Sequence, residues 1–161
     1  MTNNDVLRRL RYTFDFNDSK MIALFAQADH SVTRTDISAW LKGDEDDAYK
    51  ALTDRELATF LNGFINAKRG KKDGPQHPPE DRLTNNIIFR KLKIALNLTS
   101  DDMLELLAMA QFEISKHELS AFFRKANHQH YRICKDQVLR NLLKGIQLKY
   151  RDSVWAQASD Q

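Results

Sequence analysis

Thr2-Asn3-Asn4-Asp5-Val6-Leu7-Arg8-Arg9-Leu10 is matched, 82 positions further on, by Thr84-Asn85-Asn86-Ile87-Ile88-Phe89-Arg90-Lys91-Leu92. The register then holds without a gap as far as Arg69, which falls on Arg151. Met21, Leu24, Ala26 and Ala28 meet Met103, Leu106, Ala108 and Ala110. Ser38-Ala39, Tyr49, Asp54, Leu57, Leu61 and Gly63 meet Ser120-Ala121, Tyr131, Asp136, Leu139, Leu143 and Gly145. One register kept over that length marks a duplicated structural unit. The chain therefore aligns with itself, and positions shared by its halves are visible without a relative.

Each half reads as four helices, which makes the fold all-α with two tandem repeats of a roughly four-helix unit. Val6, Leu7, Leu10 and Phe14 recur at helical spacing from about Asn4 to Phe14, and Ile88, Phe89, Leu92 and Leu96 repeat the stripe. A second helix is expected from about Asp18 to Asp29, with a counterpart starting at Thr99. The third begins on a capping box, Thr33 with Asp36, stapled by Val32 and Ile37; Ser115, Glu118, Ile114 and Leu119 take the same roles. The fourth starts at Thr53 with Glu56 and stops at Gly70. Residues 71–82 hold all three prolines and form an extended linker, so residues 1–70 and 83–152 are the units and 153–161 a C-terminal tail.

Composition narrows the function classes. Five glycines and three prolines in 161 residues suit long helices rather than many turns. No apolar run approaches the ~18 residues of a membrane span. The polar opening Thr2–Asp5 lacks the basic-then-apolar order of a signal peptide. Cys134 is the single cysteine, which leaves no intrachain disulfide and no multi-cysteine zinc site. These features point to the cytoplasm. Charge is uneven: residues 1–70 carry ten basic and eleven acidic residues, whereas residues 83–152 carry twelve and seven. The second unit is the better match for an anionic partner.

Thr2-Asn3-Asn4-Asp5, Leu10-Arg11-Tyr12, Phe60-Leu61-Asn62-Gly63 and Ala67-Lys68-Arg69-Gly70 together resemble the YehS-like family of small duplicated proteins from proteobacteria and their relatives. The resemblance covers both repeats and the linker. It implies a bacterial cytoplasmic protein and implies no activity, cofactor or site.

Three sets of residues are candidates for function. The second and third helices look like a helix-turn-helix, with Val32-Thr33 before the third helix and Ile37-Ser38 within it. Such a helix offers its first side chains to base edges. Here these are Arg34, Thr35 and Ser38, with Lys116, His117 and Ser120 as equivalents and Arg124 and Lys125 within reach of phosphate. Helix-turn-helix repressors carry a turn glycine, which Asp29-His30-Ser31 lacks, so a capped helical hairpin fits the same residues. The second set is basic: Arg8 and Arg11 share a face of helix one, as Arg90 and Lys93 do in the repeat. Phosphate contact and plain surface charge both account for it.

The third set could bind metal. Asp44-Glu45-Asp46-Asp47 lacks the glycine and closing glutamate of a calcium loop. His128, His130 and Cys134 lack a fourth zinc ligand. No metal site or cofactor is expected. Tyr49/Tyr131 and Asp54/Asp136 recur, yet no nucleophile or base stands beside an orienting partner. The reading is a non-enzymatic binding module, its partner DNA or RNA held mainly by the second unit. The alternative is a protein-interaction adaptor using the seam between the repeats.

Overall fold

The computed structural model describes residues 1–152; the proposed tail, residues 153–161, lies outside them. Among the described residues the chain is helical, without strands. It divides into two compact units, Met1–Leu83 and a second beginning at Thr84.

The first unit contains α1 (Asn3–Phe14), α2 (Asp18–Ala26), α3 (Arg34–Leu41) and α4 (Asp54–Arg69). The second repeats the order as α5 (Asn85–Ala95), α6 (Ser100–Met109), α7 (Lys116–Ala121) and α8 (Asp136–Gln147), followed by a π-helical turn, Leu148–Asp152. The predicted caps form. Thr33 with Asp36, Thr53 with Glu56 and Ser115 with Glu118 close reciprocal capping boxes, and Gly70 ends α4 at φ 99°. Lys135 replaces the α4 cap in α8 and makes no side-chain cap bond.

One predicted span is longer than the helix that forms. α2 stops at Ala26 because Asp29 turns left-handed at φ 58°, letting His30 N–H reach back to the Phe25 carbonyl. Its aligned residue Gln111 does the same at φ 61°, and Asp15 and Asn97 form a second such pair at 55° and 52°. The two halves thus share their backbone exceptions as well as their helices.

The shared Asn-Asn dipeptide ties each unit together. Asn4 is 1% exposed; its Nδ2 donates to the Trp40 and Lys50 carbonyls at 2.9 and 3.0 Å, and its Oδ1 accepts from Leu52 N–H at 2.9 Å. Asn86 repeats this with Phe122, Arg132 and Cys134 at 3.1, 2.8 and 2.9 Å. One amide thereby satisfies three backbone groups that would otherwise be lost to water in the interior. Asn3 and Asn85 bond the carboxylates of Asp54 and Asp136 at 2.8 and 2.7 Å, pinning the first helix of each unit to the start of the fourth.

Gly63 and Gly145 bring helices together. A Cβ on Gly63 would lie 1.8 Å from the Leu24 carbonyl oxygen, and one on Gly145 2.0 Å from that of Leu106. The core around these contacts is aromatic in the first unit, where Phe25 packs on Trp40 and Phe60 with ring centroids 5.4 Å apart. The aligned Leu107 and Leu142 make the second core more aliphatic there.

The Pro-rich stretch turns at Gly74 (φ 87°) and then follows α4. Gln76 accepts from Asn66, Asp81 pairs with Arg55 at 2.7 Å, and Leu83 N–H donates to Asp54 at 2.9 Å. No described helix is long and apolar enough to cross a membrane.

Candidate nucleic-acid interface

The Asn86 clasp fixes where α5 lies against the chain that leaves α7, and this placement brings two sequence-predicted cations of α5 to Phe123, which two more follow in the chain. Lys93 sits over the Phe123 ring, 5.9 Å from its centroid. Arg90, on the same face of α5, points its Nη2 at the Phe123 carbonyl from 3.4 Å. Arg124 and Lys125 follow directly in sequence. Among the described residues, none of these four cations is paired with a carboxylate. Lys91, between Arg90 and Lys93, is buried.

The aligned corner of the first unit carries its own counter-charges. Arg8 Nη1 pairs with Asp5 at 2.9 Å, Nη2 lies 3.6 Å from Asp44, and Nη2 donates to the Lys42 carbonyl at 2.7 Å. Arg8 is thus held at the C-terminal end of α3, where a cation suits the exposed carbonyls. Ile87 and Ala126 stand where Asp5 and Asp44 would be, so Arg90 has no such partners.

The helix-turn-helix residues divide differently. α3 leaves Arg34, Thr35 and Ser38 exposed on an eight-residue helix. α7 has six residues; Lys116 and His117 are exposed, while the Ser120 hydroxyl donates to the His117 carbonyl at 2.8 Å. Lys116 Nζ lies 3.4 Å from Asp101. At the aligned position Arg34 meets Ser19 instead, at 3.2 Å, and Arg11 lines the same recess. Arg11 is therefore separate from the Arg8 corner, although both lie on α1.

The metal candidates do not assemble. Among the described residues no three His, Cys, Asp or Glu side chains gather as a metal group would. Cys134 is buried, and burial pushes its thiol up to about 12, so it stays protonated. Asp46 accepts from Ala48 N–H at 2.8 Å, and Asp44 faces Arg8. Asp136 titrates below its ordinary value because Asn85 bonds its carboxylate. Its recurrence with Asp54 goes with the asparagine bond that both carboxylates accept at the helix junction. Sequence reading missed the role of Phe123 as the centre of the cluster; its signal was the aromatic standing where the first unit has Leu41.

These features define a duplicated, all-helical protein of two four-helix units. The family model described as "Protein of unknown function (DUF1456)" matches twice, over residues 3–70 and 85–152, and the chain belongs to that family. It is similar to "Uncharacterized protein YehS" of Escherichia coli strain K12, with 37% identity over 147 residues, 91% of this chain and 94% of that protein. No solved structure matches it.

Proposed function

We propose that this protein is a cytoplasmic, non-enzymatic nucleic-acid-binding module whose second unit makes the phosphate contact. The observation that carries the reading is the meeting of Arg90 and Lys93 with Phe123, directly followed by Arg124 and Lys125: cations from two segments that, among the described residues, have no carboxylate partners. Phosphate neutralisation of this kind supplies affinity without reading sequence. Base readout is a weaker fit for α7, because it is short, Lys116 faces Asp101 and the Ser120 hydroxyl is spent on its own helix. The reading is therefore backbone-dominated binding of DNA or RNA.

Anisotropy titrations with labelled duplex and single-stranded DNA and RNA test it. Four phosphate contacts give a salt slope of about −3.6 on duplex DNA, or about a hundredfold loss between roughly 50 and 200 mM salt. Arg124→Ala with Lys125→Ala should reduce that slope by about 1.8. In the first unit, Arg34→Ala with Lys42→Ala, at the positions aligned with Lys116 and Arg124, should do less. Absence of binding by the unmutated protein at low salt ends the proposal and gives first place to a protein-interaction role.

A further inference from the structure

The first unit holds a recess at positions whose counterparts in the second unit form an ion pair. Arg11 of α1 and Arg34 of α3 line one pocket of about 280 Å³ with Asn17, Asp18 and Ser19 at the start of α2. A second recess shares Asp18 and Arg34 and continues along α3 to Lys42. Three cations from three places in the unit thus border one groove, against the single carboxylate of Asp18.

The internal repeat shows the same positions with the cation paired. There the acid has moved one position: Ser100 stands where Asp18 does, Asp101 where Ser19 does, and Asp101 pairs at 3.4 Å with Lys116, which occupies the Arg34 position. In the first unit the same contact is Arg34 Nη2 to the Ser19 hydroxyl at 3.2 Å. A hydroxyl leaves the guanidinium without an ion pair there, although Asp18 borders the same recess, and can itself donate to an incoming oxygen. Arg11 adds an Nε–H that is shielded from water and has no partner.

Two guanidinium groups and a hydroxyl suit a tetrahedral oxyanion, because each guanidinium offers a planar fork of donors to paired oxygens. A phosphomonoester carries up to two negative charges and three terminal oxygens at neutral pH. A backbone phosphodiester carries one charge and two free oxygens. We propose that this recess binds a small phosphomonoester, its phosphoryl oxygens held by Arg11, Arg34 and Ser19. The site is independent of the nucleic-acid reading and shares no residue with the cluster about Phe123.

The test titrates the full chain with inorganic phosphate, glycerol phosphate and a dinucleoside phosphodiester, followed by backbone amide NMR shifts and calorimetry. Saturable binding of the two monoanion-to-dianion probes is expected, with shifts confined to the ends of α1, α2 and α3 that border the recess. Ser19→Asp writes the second unit's own pairing into the first and should weaken binding by at least about tenfold. Asp101 at the aligned position indicates that the unit accepts this side chain, and a thermal melt verifies it. Arg34→Gln, an exposed change, should weaken binding similarly. Diester binding as strong as monoester binding would assign the groove to nucleic-acid backbone and overturn the proposal. So would failure of the monoesters to bind at millimolar concentration, or binding that Ser19→Asp leaves unchanged.

Discussion

The corner where Arg8 meets the end of α3 and the corner where Arg90 meets the end of α7 descend from one pattern, yet they differ in sign. In the first, Asp5 and Asp44 stand beside the arginine. In the second, Ile87 and Ala126 replace both acids, and Arg124 and Lys125 replace Lys42 and Gly43. Around α2 and α6 the acid shifts by one position, Asp18-Ser19 against Ser100-Asp101. Backbone-setting contacts are kept in both halves: the asparagine clasps, the glycine contacts and the left-handed turns. Charge has been moved without disturbing them. The units are interchangeable as folds and distinct as surfaces.

The largest effect should come from the contacts the halves share. Gly63→Ala and Gly145→Ala each force a methyl group onto a helix carbonyl, and each should cost about 3 kcal/mol, the upper end of over-packing losses. Denaturant melts of the two variants measure this. A mild loss in one and a severe loss in the other would break the equivalence of the helix contacts.

A smaller effect should follow from transplanting charge. Ile87→Asp with Ala126→Asp gives the second unit the acids of the first. Arg90 then acquires partners, and nucleic-acid affinity at low salt should fall by about tenfold, with the salt slope reduced by about one. Both sites lie at a cap or a surface loop, so the melting transition should move little. Unchanged affinity would mean that Arg90 does not contact the nucleic acid.

The smallest effect concerns acid. Asp36 and Asp102 titrate below the ordinary carboxylate value of 3.8, chiefly because the Thr33 and Thr99 backbone amides bond to them. Burial alone would raise Asp5, but its bonds from Thr2 and the charge of Arg8 bring it below as well. A depressed folded value stabilises the fold above the unfolded value, and that contribution is lost as pH falls through the folded one. Melting temperature should therefore be insensitive to these groups near neutrality and decline below about pH 4. Within that decline the start of α1 should loosen before that of α5, where Ile87 has no proton to gain. Amide exchange at Val6 and Ile88 separates the two.

Much of this was legible in the sequence because the information is local. Thr33 with Asp36, and Ser115 with Glu118, lie three residues apart and specify a helix start with no knowledge of the rest of the fold. The duplication was legible because it is a comparison of the chain with itself. The partners of Asn4 were not, since Trp40, Lys50 and Leu52 offer only backbone groups, and a carbonyl looks alike in every residue. The end of α2 was missed because Asp29 enters a left-handed conformation for which glycine is the usual signal. The candidate residues were named individually, but the sequence did not divide them into Arg8 held by acids, Lys116 facing Asp101 and four cations about Phe123. That division depends on which side chains tertiary packing brings within a few ångströms.

The Asn86 clasp also gives the molecule a chronometer. Cys134 is the chain's one thiol, and it lies at the stretch of backbone whose amide Asn86 holds at 2.9 Å. With the thiol buried and its ionisation pushed up to about 12, the folded protein presents almost no thiolate to an alkylating reagent. Leu52 stands at the matching place in the first unit and is chemically silent. The rate of thiol labelling therefore times the opening of one repeat while the other, identical in plan, adds no signal.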